Sequence, residues 1–126
     1  MQYFARSSYI GALFAIAVTA QTHQGDLFNF VPGLGACGFT NTSTQFVASV
    51  SNEFFHSFPG SGTNPNANPI CTHNLTVAFN GTNVSAQVVD FCLSCPSSNV
   101  GLSPVAFEVF APLAQGIVSN VTWEVI

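Results

Sequence analysis

The stretch Leu75-Thr76-Val77-Ala78-Phe79-Asn80-Gly81, followed by Val84 to Val89, decides the fold class of this chain. Apolar residues alternate with polar or small ones on both sides of the Asn80-Gly81 pair, and a period of two is typical of a strand with one buried face. Asn-Gly is a preferred two-residue turn between antiparallel strands. The stretch therefore predicts a β-hairpin and, with the short apolar runs around it, an all-β domain.

The C-terminal stretch shows the same alternation. Period two predicts a closing strand over this stretch. One face would carry Ile117, Ser119, Val121, Trp123 and Val125. The other face, which is expected to point outward, would carry Val118, Asn120, Thr122 and Glu124.

Helix signals are few. Ser103-Pro104 reads as an N-cap with proline at the first helical position, and it predicts a helix through Phe110 that Pro112 stops. A shorter helical turn is expected after Ser51. The stretch 59–69, rich in Gly, Asn and Pro, reads as a loop.

The first 20 residues are predicted to be a signal peptide. Arg6 precedes an apolar run, and Val18-Thr19-Ala20 places small residues at a signal-peptidase site, so cleavage is expected after Ala20. The alternative, a membrane anchor, needs about 20 apolar residues, and this run is too short. The prediction is a secreted, extracellular chain with a single domain over residues 21–126.

Charge excludes several kinds of partner. Arg6 is the only basic residue, so residues 21–126 contain five acidic side chains and no Lys or Arg. Cationic side chains supply most of the affinity for nucleic acid, so nucleic acid is excluded as a partner, and so are acidic membrane surfaces. Five N-x-Ser/Thr sequons offer glycans as another source of solubility, at Asn41, Asn74, Asn80, Asn83 and Asn120.

Cysteine usage agrees with export. Cys37, Cys71, Cys92 and Cys95 form an even set in a small exported domain, which is the usual setting for disulfides, and three pairings are open. The rival interpretation is a zinc site made of three thiolates and His73. An oxidising pathway disfavours it, so no metal is expected.

Six segments in order carry a family resemblance. They are Gly25-Asp26, Pro32 to Gly38, Asn68-Pro69-Ile70-Cys71, Val88 to Cys95, Leu102 to Glu108, and Val121-Thr122-Trp123. Together they resemble the small fungal RlpA-like double-psi β-barrel proteins, a group that includes loosenins and is related to barwin and to the first domain of expansins. The resemblance implies a six-stranded double-psi barrel with one or two short helices and a groove that binds polysaccharide. It also implies that Cys37 pairs with Cys71 and Cys92 with Cys95.

The resemblance further implies which groove positions have changed. Expansin-like domains and related glycosidases place an aspartate just before the Leu-Ser of the helix entry, where this chain has Gly101. Only Asp90 remains where the family places a carboxyl group, and glycoside hydrolysis ordinarily needs two. No nucleophile-elbow motif surrounds any serine. We therefore expect no catalytic residue, no enzymatic activity and no cofactor.

Binding survives these changes better than catalysis. Sugar faces stack on aromatic rings, so Phe28, Phe30 and Phe91 with Asp90 as a hydrogen-bond acceptor form the candidate groove. The first hypothesis is a non-hydrolytic, monomeric cell-wall protein that associates with cellulose or chitin. The second is a barwin-like module that binds a protein, as a protease inhibitor or effector, with loop 59–69 as the contact element.

Overall fold

A computed structural model describes residues 21–126, so the predicted signal peptide lies outside the described residues. Six strands close into a barrel in the order β1-β5-β2-β4-β3-β6, which confirms the predicted fold class. The strands are β1 (His23–Asn29), β2 (Val47–Ser51), β3 (Asn74–Phe79), β4 (Thr82–Cys92), β5 (Val100–Leu102) and β6 (Ile117–Val125). Within this part of the chain no helix is long and apolar enough to cross a membrane.

The predicted hairpin is formed by β3 and β4. Phe79 pairs with Thr82, so Asn80 and Gly81 alone make the turn. Both have positive φ, 50° and 79°, as a two-residue turn that matches the strand twist requires. Leu75, Val77, Val84 and Ala86 point into the barrel.

The closing strand β6 departs from the predicted alternation. Gly25 of β1 pairs with Val121 while Leu27 pairs with Val118, so β6 contains one extra residue in this interval. Asn120 has a φ of 68° there. Because this bulge shifts the alternation, Val118 is buried and Ile117 and Ser119 are exposed. The predicted face is right for Val121 and Trp123 and wrong for Ile117 and Ser119.

Two short α-helices flank the barrel. Helix α1 (Asn52–Ser57) begins where expected, since Ser51 Oγ accepts a hydrogen bond from Phe54 N at 2.9 Å. Helix α2 (Pro104–Phe107) is shorter than predicted, and Ser103 makes no side-chain cap. The Ser103 hydroxyl instead donates to Gln45 O at 2.6 Å, which ties the end of β5 to the segment that enters β2. Single 3-10 turns lie at Pro65–Ala67, Pro69–Thr72 and Leu113–Gln115.

Two disulfides cross-link the chain. Cys37 pairs with Cys71 and Cys92 with Cys95, as the resemblance implied. No cysteine in residues 21–126 is free, so the thiolates that a zinc site would need are absent from this region. The first bridge is buried, whereas the second lies at the barrel end where β4 stops.

Candidate functional site

The candidate groove is a row of four residues that lie side by side across four strands. Phe28 of β1 pairs with Gly101 of β5, Gly101 pairs with Ser49 of β2, and Ser49 pairs with Asp90 of β4. Directly opposed residues on neighbouring strands point to the same face. Their neighbours Leu27, Val50 and Val100 are fully buried in the core, so this row faces outward.

A bulge in β4 places Asp90 in that row. Ala48 pairs with Val88 and Ser49 with Asp90, so Val89 is an extra residue on the β4 side. Val84, Ala86 and Val88 all point inward. Without the bulge, strict alternation would send residue 90 inward as well. The extra residue turns the carboxylate to the outer face.

The phenyl ring of Phe28 covers the middle of the row. A Cβ placed on Gly101 would lie 2.5 Å from Phe28 Cε2 and 2.7 Å from Phe28 Cζ. Gly101 is itself buried, and Ser49 is only 3% exposed. An aromatic ring therefore occupies the space that a side chain at position 101 would need.

The Asp90 carboxylate is already engaged by the backbone. Its Oδ1 accepts hydrogen bonds from Ala36 N at 3.0 Å and from Phe91 N at 2.8 Å. Ala36 belongs to a tight turn over residues 33–41, which we call the 33–41 hairpin. In that turn Leu34 bridges to Thr40, and Gly35 N donates to Phe39 O at 3.0 Å. Asp90 therefore fixes the 33–41 hairpin against β4 and keeps one oxygen for other partners.

The two remaining candidate groove residues are placed differently. Phe30 follows Phe28 by two residues and is half-buried, and its N donates to Leu102 O at 3.0 Å. Phe91 lies on the opposite face of β4 from Asp90, since it pairs with the buried Val50. Its ring packs 5.0 Å from the Phe55 ring. The structure thus aligns Phe28 with Asp90 and removes Phe91 from the groove.

No second carboxylate stands beside Asp90 within residues 21–126. Asp26 lies on β1, which is three strands away from β4 in either direction around the barrel. Its Oδ1 accepts from Asn120 N at 3.4 Å on the other side of β1. Glu124 accepts from Thr22 Oγ1 at 3.2 Å, and Glu53 and Glu108 are exposed. A pair of carboxyl groups about 5 to 10 Å apart, as glycoside hydrolysis needs, is therefore not formed around Asp90.

The histidines pack against aromatic rings. His23 stacks on Trp123 with ring centroids 4.4 Å apart, and this burial lowers the pKa of His23 from its ordinary value. His73, the histidine closest in sequence to a cysteine, lies with Nδ1 2.9 Å from Pro69 O. Among residues 21–126 no three His, Cys, Asp or Glu side chains converge as metal ligands would.

Two exposed leucines that were not predicted as site residues lie in segments adjoining Asp90. Leu34 is 76% exposed in the 33–41 hairpin, and Leu93 is 81% exposed in the turn closed by Cys92 and Cys95. The sequence does contain a signal for their exposure. Leu34 is a large apolar residue between two glycines, and Leu93 lies inside a Cys-x-x-Cys turn. Such short segments have no core in which to bury these side chains.

Loop 59–69 adjoins the 33–41 hairpin. A Cβ on Gly38 would lie 3.0 Å from the Asn66 side chain, and Cys71 Sγ is 3.5 Å from Pro65 O. Asn68 is buried, and its amide donates to Phe55 O at 2.8 Å. The loop is therefore held by internal hydrogen bonds as well as by the disulfide at its end.

Comparison with known proteins gives one relative by sequence and several by structure. No family model matches the chain. A papain inhibitor from Streptomyces mobaraensis is 33% identical over 94 residues, which are 73% of this chain and 62% of the inhibitor. The solved Streptomyces papain inhibitor superposes with a TM-score of 0.76 at 29% identity, covering 84% of this chain and 94% of that one.

An expansin from Clavibacter michiganensis shares the fold. A point mutant of it in complex with cellohexaose superposes with a TM-score of 0.66 at 20% identity, covering 84% of this chain and 50% of the expansin. The same expansin without ligand superposes with a TM-score of 0.66 at 19% identity.

Proposed function

We propose that this protein is a secreted, non-catalytic binding protein whose partner is a papain-type cysteine protease. The chain belongs to the RlpA-like double-psi β-barrel fold family, as the Streptomyces papain inhibitor does. The observation that carries the proposal is the 33% identity to a papain inhibitor. The matched segment spans less than two thirds of that inhibitor, so its activity enters here as a proposal. Expansins at 20% identity share the fold alone.

Lack of catalysis is supported by the outward-facing row. Asp90 is its only carboxylate, and the Phe28 ring lies where a side chain at position 101 would project. We propose that Gly101 replaces the acid that glycosidases of this fold use. With one carboxyl group and a filled groove, the site lacks the acid and base pair for bond cleavage.

The proposed contact surface consists of Leu34 and Leu93 on their two turns, with loop 59–69 beside them. Both leucines are more than three quarters exposed, and each turn is tied by a disulfide or by Asp90. Rigid turns lose little conformational entropy on binding, so exposed apolar side chains on them favour association with an apolar cleft.

The test is inhibition of papain by the purified secreted chain, followed with a fluorogenic peptide substrate. We expect saturable inhibition, and we expect the mass of the chain to be unchanged afterwards, since an inhibitor must not simply be a competing substrate. Absence of inhibition at micromolar concentration, with the barrel shown to be folded by circular dichroism, would refute the proposal.

Polysaccharide association is the second candidate, favoured by the outward orientation of Asp90 in the row that joins it to Phe28. Its test is retention on insoluble cellulose, chitin and β-glucan, comparing Asp90→Ala with Asp90→Asn. The asparagine variant keeps an acceptor for Ala36 N and removes the charge, so it separates loss of the 33–41 hairpin from loss of a ligand contact. Retention that is lost in both variants supports this candidate, and release of soluble sugar would contradict the non-catalytic proposal.

Export and monomeric state belong to the same proposal. N-terminal sequencing of the secreted protein should begin at Gln21, and light scattering should give a monomer. A mature chain that retains residues 1–20 would contradict the predicted signal peptide.

A further inference from the structure

The outer face of strands β4, β3 and β6 is almost uncharged. Alternation sends Leu75, Val77, Val84, Ala86 and Trp123 inward, so the residues facing outward are Asn74, Thr76, Ala78, Asn83, Ser85, Gln87, Thr122 and Glu124. Glu124 is the only ionisable side chain among them. Soluble domains ordinarily mix charges of both signs over such a surface, so another source of hydration is needed here.

Four of the five sequon asparagines lie on or at the rim of this face. Asn74 and Asn83 are on its strands, Asn80 is in the β3–β4 turn and Asn120 is at the bulge of β6, and all four are exposed. Asn80 and Asn120 line one shallow depression together with Ala78, Phe79, Gly81 and Thr122. No sequon lies on β1, β5 or β2.

Hydrogen bonding distinguishes three asparagines outside the sequons from the four sequon asparagines of this face. Asn64, Asn68 and Asn99 lie outside sequons, and their side-chain oxygens accept bonds from the backbone at 3.0 to 3.1 Å. The side chains of Asn74, Asn80 and Asn83 make no hydrogen bond within residues 21–126, and Asn120 uses only its oxygen, toward Gln24 Nε2 at 2.8 Å. The amide nitrogen, which is the atom that a glycan modifies, is therefore available in all four.

Asn41 is the exception among the sequons. Its Oδ1 is enclosed without a partner, and its Nδ2 donates to Gln45 Oε1 at 3.3 Å inside a turn. A glycan on Nδ2 would crowd Gln45, whose Oε1 also accepts a hydrogen bond from Thr42 N at 2.8 Å, so modification would disturb this turn.

We infer that the outer face of β4, β3 and β6 carries N-linked glycans at Asn74, at Asn120 and at one or both of Asn80 and Asn83, and that folded protein carries none at Asn41. The glycans supply the hydration that charge does not, and they close the depression between Asn80 and Asn120 to ligands. A partner then approaches from the sides without sequons. The inference rests on the proposed export and is independent of what the protein binds.

The test is site occupancy in the full chain secreted from a yeast. Endoglycosidase H leaves one uncharged N-acetylglucosamine on every modified asparagine, and chymotrypsin cleaves after phenylalanine. Cleavage therefore places the sequon asparagines in four different peptides. Asn41 lies between Phe39 and Phe46, Asn74 lies before Phe79, the Asn80–Asn83 pair lies between Phe79 and Phe91, and Asn120 lies beyond Phe110.

We expect the sugar mass on the peptides of Asn74, Asn120 and the Asn80–Asn83 pair, and none on that of Asn41. A sugar on Asn41 in folded protein, or its absence from the other three peptides, would overturn the inference. Asn74→Gln is the matched control, which should lose one tag and keep the rest. Papain inhibition is measured on the same sample, so failure of either proposal is seen separately.

Discussion

Two outer faces of the barrel differ in how their backbone is built. Strands β3 and β4 pair without interruption through six residue pairs, and their outward side chains are small and polar. On the other side, β1, β5, β2 and the end of β4 combine parallel and antiparallel pairing, and a bulge at Val89 turns Asp90 outward. The regular face needs only alternation and a turn, whereas the irregular face depends on extra residues and cross-links. We therefore expect function to lie on the irregular face.

The largest effect should come from removing the disulfide that holds the irregular side. Cys37 and Cys71 are 34 residues apart, so the loop-entropy relation gives the pair about 4 kcal/mol, against about 2 for the short Cys92–Cys95 loop. Cys37→Ala with Cys71→Ala should lower the free energy of unfolding more than the other double variant does, as measured in guanidinium. Equal losses would show that the 33–41 hairpin does not depend on this bridge.

Next in size is the contact between Phe28 and Gly101. Gly101→Ala places a methyl group against the Phe28 ring, and overpacking of this kind costs about 1 to 3 kcal/mol. In a Phe28→Ala background the same change should cost less than about 0.5 kcal/mol, since the ring is gone. Additive costs in this double-mutant cycle would mean that the two residues do not meet.

A smaller effect is expected in the regular face. Gly81 has a φ of 79° with open space around its Cβ position, so Gly81→Ala should cost about 1 kcal/mol from backbone strain alone. Gly62 also faces open space but has no positive φ, so Gly62→Ala is the matched control and should leave the melting temperature unchanged or slightly raised. A neutral Gly81→Ala would contradict the turn geometry.

The smallest effect should be the pH dependence contributed by His23. Burial lowers the pKa of His23 below 6.5, so the unfolded chain binds its proton more readily than the folded one. Stability is therefore fully present above pH 6.5 and falls as the pH drops below it. The melting temperature of His23→Phe should decline less between pH 7 and pH 5 than that of the unmodified chain. Parallel curves would refute this origin.

The sequence predicted the regular elements because local patterns determine them. The Asn80-Gly81 turn and the helical turn after Ser51 depend on neighbouring residues, and both are confirmed. The bulges at Val89 and Asn120 depend on pairing with distant strands, so alternation alone placed Ile117 and Ser119 on the wrong face. Ser103 was predicted as a helix cap from the local Ser-Pro pair. Its actual partner, Gln45, is far away in the sequence, so the local pattern could not indicate that contact.

The candidate site was predicted only in part. The resemblance placed Phe28 and Asp90 in one groove, and the structure aligns them. Phe91 was predicted in the groove beside Asp90, but adjacent residues of a strand face opposite sides. The bulge at Val89 turns Asp90, and not Phe91, outward. Leu34 and Leu93 were missed because exposure in a turn follows from tertiary folding and not from periodicity.

The most direct test of the proposed function compares papain inhibition by the unmodified chain with that by Leu34→Ser, Leu93→Ser and the exposed control Val109→Ser. Val109 is 46% exposed just after α2 and belongs to neither the 33–41 hairpin nor the Cys92–Cys95 turn. We predict inhibition that weakens about tenfold or more in each leucine variant, as for an interface anchor worth about 1.4 kcal/mol, and that is unchanged in the control. Inhibition unaffected by both leucine substitutions, or no inhibition at all by the folded chain, would contradict the account.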